Sequence, residues 1–175
     1  MEHELWFSSE IDHGNPMSFQ DGDLARMKSK SPCVRFLGHH PSVVPLYAAC
    51  DVVCMPTCYR EGLPTAILES AACGRAMVAT DNVGCREFVF HEDTGLIVPR
   101  HDPAALAAAL KRMCEDAALR ERLRRRAYEA FRARFTKQIM VDRTWTLIES
   151  LGWPLPNPRS LGSPRPTSAA GAEIA

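Results

Sequence analysis

Val52-Val53-Cys54-Met55, then Pro56-Thr57-Cys58-Tyr59, then Arg60-Glu61-Gly62-Leu63-Pro64-Thr65-Ala66-Ile67-Leu68-Glu69: this stretch decides the fold. Its four apolar residues read as a short strand. A loop follows, and helix chemistry begins at Pro64, whose fixed φ and missing N–H suit a first helical turn. The helix is expected over Pro64–Cys73, stopping just before Gly74. A strand that runs into a helix places free backbone N–H groups and the positive end of a helix dipole at the carboxyl edge of a sheet. That is where α/β proteins bind anions.

Outward from this unit the pattern repeats. Further strands are expected at Val34–Leu37, Ala76–Ala79 and Gly95–Val98, and a helix at Val43–Cys50. Short apolar runs alternating with amphipathic ones predict an α/β fold, a Rossmann-like parallel sheet flanked by helices. From Pro103 to Ser150 the chain reads as three helices broken near Asp116 and Thr136, with Leu119, Leu123, Ala127, Ala130 and Phe131 as an apolar stripe. Arg120, Arg122, Arg124, Arg125, Arg126, Arg132 and Arg134 fall mostly off that stripe and read as a solvated face, given Glu121 and Glu129 among them. Near the start, Leu5–Ser8 reads as a strand, Asn15-Pro16 as a turn and Asp21–Lys28 as a short helix.

The 175 residues fit one domain, drawn from 13 to 150 after a poorly defined start over 1–12. After Gly152, five prolines among Ser, Gly and Ala mark residues 151–175 as a disordered tail. The 21 basic and 21 acidic residues cancel, which argues against nucleic acid or anionic lipid as partner. Seven cysteines without a C-x-x-C pair argue against a secreted disulfide framework and favour a reducing, cytoplasmic compartment. The thiols of Cys50, Cys54 and Cys58 diverge along a helix end, a strand and a loop, so they read as buried or neutral thiols and no metal site is assigned. No apolar run approaches the roughly 20 residues of a membrane span.

At the site itself, Leu63, Thr65 and Ala66 would offer amides to an anion, Thr65 adds its hydroxyl, and Gly62 permits close approach of the backbone. Glu61 and Glu69 stand eight positions apart, one in the loop and one in the helix. Two carboxylates beside a diphosphate repel it unless they accept hydrogen bonds from diols. A nucleotide sugar supplies both. Arg60 and Arg86 are the local cations, free for a diphosphate or paired with Glu61 or Glu87. His39 and His40 read as solvated loop histidines.

The run Arg60 to Glu69 resembles the Glu-x7-Glu signature of family 4 retaining glycosyltransferases, which have the two-domain GT-B fold. Phe36-Leu37-Gly38-His39, Ala49-Cys50-Asp51-Val52, Ala72-Cys73-Gly74-Arg75, Ala79-Thr80-Asp81, Gly84-Cys85-Arg86-Glu87, Thr94 to Pro99 and Asp102-Pro103 resemble the C-terminal domain of that family, in its order. The resemblance implies the C-terminal half of a GT-B fold that binds a nucleotide diphosphate sugar, a UDP-sugar by preference, with no separate cofactor. It implies that Glu69 binds the ribose, that Glu61 contacts the transferred sugar as catalytic residue, and that Leu63, Thr65 and Ala66 hold the diphosphate. Phe36–His39 would border the base.

The reaction implied is hexosyl transfer with retention to a glycan or lipid-linked acceptor, in polysaccharide or glycolipid assembly. The family's N-terminal acceptor domain and its early Arg/Lys pair are not recognisable here, so a truncated donor half is expected, with any peripheral membrane contact left to the missing half. Phe135, Ile139, Val141, Trp145 and Ile148 on the last helix would then be exposed, and self-association follows. Two alternatives stay open: a catalytically inactive nucleotide-sugar-binding module, and a nucleotide-sugar epimerase of GT-B architecture.

Overall fold

The computed structural model describes residues 3–8 and 20–153. The expected turn at Asn15-Pro16 and residues 154–175 of the expected tail lie outside them. Contacts divide the chain into two compact units, Met1–Leu46 and Tyr47–Ala175, where a single domain over 13–150 is expected from sequence. Which strands share a ladder is a tertiary property that periodicity does not reveal.

In the first unit β1 (Leu5–Phe7) pairs in parallel with β2 (Val34–Phe36), and α1 (Asp21–Lys30) lies between them in the chain. The rings of Phe7 and Phe36 stack at 5.1 Å. Helix α2 (Val44–Ala49) spans the division between the units.

The second unit carries β3 (Val52–Met55), α3 (Thr65–Ala72), β4 (Ala76–Thr80), α4 (Val83–Arg86), β5 (Leu96–Val98), α5 (Pro103–Glu115), α6 (Ala117–Arg134) and α7 (Lys137–Ser150). Its sheet runs β3-β4-β5, all parallel, with Val52 opposite Ala76 and Thr80 opposite Val98. Every residue of β4 is buried. Side chains alternate across a strand, so Met77 and Ala79 join Ile67, Ala71, Phe88 and Ala127 on one face. Ala76 and Val78 join Leu96, Met113, Leu119 and Leu123 on the other. A strand covered on both faces reads as a continuous apolar run, as this one does.

The helix boundaries follow from caps. Asp102 accepts a bond from the Ala105 amide at 2.9 Å ahead of Pro103, Asp116 from Leu119 at 2.8 Å, and Thr136 from Ile139 at 3.3 Å. These last two caps are the expected breaks. Helix α3 ends in a Schellman motif: Gly74, at φ 62°, donates to the Ala71 carbonyl at 3.0 Å while Arg75 donates to Ser70 at 2.9 Å.

Within the expected stripe, Leu119, Leu123 and Ala127 are buried, and Ala130 and Phe131 pack against the core. Arg122 donates to the Glu92 carbonyl at 2.6 Å, Arg120 to Met113 at 2.7 Å, and Arg126 pairs with Asp93 at 2.9 Å. The arginine face is thus pinned to neighbouring carbonyls and acids; the exposed Arg126–Asp93 ion pair is worth about 0–1 kcal/mol.

One element is absent from the sequence reading, and two expectations are corrected. Helix α4 carries too short an apolar signal to be read from sequence; the Asn82 side chain caps it by accepting from the Val83 amide at 2.8 Å. Pro64 is the residue before the first helical position, because its ψ of 129° is extended. Trp145 on α7 is exposed as expected, but Ile139, Val141 and Ile148 on that helix are half-buried; Phe135, expected on the last helix, instead caps the end of α6, is half-buried and meets Phe88 edge-on at 5.3 Å. With Trp145, Met140 and Leu147 are the large apolar residues that α7 exposes. Among the described residues, no helix is long and apolar enough to cross a membrane.

Leu123 is fully buried against β4 and α5. Leu123→Ala should lower the unfolding free energy by about 2–5 kcal/mol, whereas Arg125→Ala at the exposed surface should change it by less than about 0.5 kcal/mol, both read from urea denaturation.

Candidate functional site

Between β3 and α3, nine residues from Pro56 to Pro64 turn the chain at the carboxyl edge of the sheet. Pro64 offers its carbonyl to Ile67 at 3.1 Å, closing the first turn. Among the described residues nothing accepts from the amides of Leu63, Thr65 or Ala66. The first turn of α3 contains no acid, so the positive end of the helix has no counter-charge of its own. Arg60 is exposed and has no ion-pair partner among the described residues. Arg86 pairs with Asp81 at 2.8 Å, rather than with Glu61 or Glu87.

Both carboxylates are exposed and each is held by a hydroxyl. Thr57 donates to Glu61 at 3.3 Å, and the Tyr47 hydroxyl donates to Glu69 at 3.1 Å. Burial, and then the neighbouring Glu69 carboxylate, push the Tyr47 hydroxyl well above its ordinary value near 10. Each carboxylate keeps one oxygen free of these bonds.

The loop hangs on residues that sequence reasoning gave no role. Thr80, at the end of β4, donates to the Thr57 carbonyl at 2.5 Å, and the Asn82 amide donates to the Tyr59 carbonyl. Both side chains are buried. Gly84 in α4 lies against the carbonyls of Gly62 and Glu61; a Cβ there would overlap the Gly62 carbonyl, standing 2.6 Å from its carbon, and would stand 2.8 Å from the Glu61 carbonyl oxygen. The sequence signals were the Asn before a short turn and the lone Gly after it, but neither says what lies opposite.

Thr65 and Glu69 face a groove of about 670 Å³ walled by Leu68, Phe131, Phe135, Val141 and Trp145 among others. Arg60, Glu61, Gly62, Leu63 and Ala66 do not line it. The structure therefore groups the loop residues at the start of α3 and sets Glu69 and Thr65 on a side they share with α7. Phe36–His39 belong to the first unit.

Cys50 and Cys54 are half-buried, and burial pushes the Cys54 thiol up to about 11. Cys58, in the loop that follows β3, is exposed. No group of three metal-ligating side chains occurs among the described residues. His39 is exposed, but Nε2 of His40 is buried without a hydrogen-bond partner there, so His40 is not the solvated residue expected.

Residues 14–116 match the family model described as Glycosyl transferases group 1. The chain belongs to this family. Over 130 residues this group 1 chain is 35% identical to the D-inositol 3-phosphate glycosyltransferase of Corynebacterium jeikeium, covering 73% of its own length and 30% of that protein. Over 97 residues it is 34% identical to the N,N'-diacetylbacillosaminyl-diphospho-undecaprenol alpha-1,3-N-acetylgalactosaminyltransferase of Campylobacter jejuni, covering 55% of its own length and 26% of that protein. The chain thus spans between 26% and 30% of the length of these curated relatives. Anabaena Alr3699/HepE, solved in complex with UDP, superposes with a TM-score of 0.75 at 22% identity, covering 86% of this chain and 41% of that one. The fold of the group 1 chain is the Rossmann-like C-terminal half of a GT-B glycosyltransferase.

Gly84→Ala should push the Gly62 carbonyl out of place and lower stability by about 1–3 kcal/mol, with faster amide exchange over residues 57–63 as the local readout. The Tyr47 hydroxyl is held protonated in the folded state above its unfolded pKa. The stability this contributes is full below about pH 10 and is lost as pH rises further. Wild-type unfolding free energy should therefore fall more steeply than that of Tyr47→Phe between about pH 9 and pH 11, in urea titrations at stepped pH.

Proposed function

We propose that this chain is the donor-binding half of a glycosyltransferase, holding a nucleotide diphosphate sugar, a UDP-sugar by preference, at the N-terminus of α3. One observation carries the reading: the amides of Leu63, Thr65 and Ala66 have no partner among the described residues, at a helix end without its own acid and between the exposed carboxylates Glu61 and Glu69. In this reading the amides and the Thr65 hydroxyl receive the diphosphate, Gly62 lets it approach, and Arg60 supplies the cation. Glu69 accepts from the ribose hydroxyls. Glu61 contacts the transferred hexosyl unit, and the helix end stabilises charge on the leaving diphosphate as the bond to the sugar breaks with retention.

The acceptor is a glycan or a lipid-linked sugar. The name of the Campylobacter jejuni relative, an N-acetylgalactosaminyltransferase of a diphospho-undecaprenol-linked sugar, supports this. The free cysteines support a reducing, cytoplasmic setting, and polysaccharide or glycolipid assembly is the process the reading points to.

Calorimetric titration with UDP, GDP and ADP tests it. UDP should bind saturably, and Glu69→Ala should weaken it by roughly tenfold or more, as loss of a hydrogen bond to a charged group does. Absence of binding by all three, or an unchanged affinity in Glu69→Ala, would overturn the assignment.

A further inference from the structure

One nucleophile on the α3 loop has no part in the donor reading. The Cys58 thiol is exposed, and its Sγ lies 3.6 Å from Nδ1 of His101, a residue 43 positions away in the chain. The only other acceptor beside it among the described residues, the Pro56 carbonyl, is farther at 4.0 Å. His101 follows β5 and holds φ at 59°, the left-handed region that a residue with a side chain seldom enters. Surrounding structure must impose that conformation, and it brings the imidazole to the thiol.

The other thiols differ. Cys50, Cys54, Cys73 and Cys85 are pushed up by burial, and Cys114 is half-buried. Cys33 is exposed but has no imidazole beside it among the described residues. A thiol reacts as its thiolate, and an adjacent imidazole is a base that makes one.

We propose that Cys58 is a site of reversible covalent modification by small disulfides, with His101 as the base that takes the thiol proton. The proton passes from Sγ to Nδ1. The thiolate attacks one sulfur of the disulfide, whose S–S bond breaks as the Cys58 mixed disulfide forms. The departing thiolate takes the proton from the imidazolium, so one disulfide is consumed and one is made. The adduct lies three residues before Glu61, in the loop where Thr57 bonds both the Tyr59 amide and the Glu61 carboxylate. The assignment does not depend on the donor reading.

The test is a time course of the full chain with oxidised glutathione, quenched in acid, with adducts at Cys58 and Cys33 quantified by peptide mass spectrometry. Cys58 should react about tenfold faster than Cys33, as expected of a thiol paired with a base, and dithiothreitol should reverse the adduct. His101→Asn, which tolerates the left-handed backbone, should remove most of that advantage, as should unfolding the wild type in urea. Equal rates at the two cysteines, an unchanged Cys58 rate in His101→Asn, or an advantage that survives in urea would each overturn the proposal.

Discussion

The double burial of β4 is the constraint on which the second unit depends. Its alternating side chains are shared between two clusters, so neither face can be given up without exposing the other's neighbours. Helix α6 serves both: Leu119 and Leu123 pack on one side and Ala127 on the other. Residues this close-packed tolerate little change of volume, which makes the strand a rigid reference for whatever is attached to its end.

What is attached is the loop before α3. Thr80 and Asn82, just where β4 stops, carry the Thr57 and Tyr59 carbonyls, and Gly84 leaves room for the Gly62 and Glu61 carbonyls. Buried polar side chains are costly unless bonded, so these contacts are strongly specified. The result is a loop without secondary structure that is nonetheless positioned by the core, with its carboxylate exposed and the helix amides beside it without a partner among the described residues.

The second carboxylate is placed differently. Glu69 sits within α3, where the Tyr47 hydroxyl meets it from α2. Its side of α3 also faces the apolar groove against α7, whose walls include Phe131 and Trp145. The two acids therefore belong to surfaces of different character, one polar and loop-borne, the other bordered by aromatic side chains.

The α/β class, the strands β3 and β4, the breaks at Asp116 and Thr136 and the pairing of a Glu-x7-Glu segment with a helix start were legible from residue order alone. Each is a local property: apolar period, cap chemistry, or the fixed φ of a proline. The division into two units, helix α4, the half-burial of Ile148 and Val141, and the roles of Tyr47, Thr80, Asn82 and Gly84 were not. The roles of Tyr47 and Thr80, for example, depend on contacts between segments 19 to 25 positions apart, Tyr47 with α3 and Thr80 with Met55 and Thr57. The chain's own order decided which groups stand at the start of α3. Only the packing of β4 and α4 beneath them decided where that start is held, because a loop has no period of its own and takes its shape from the core it rests on.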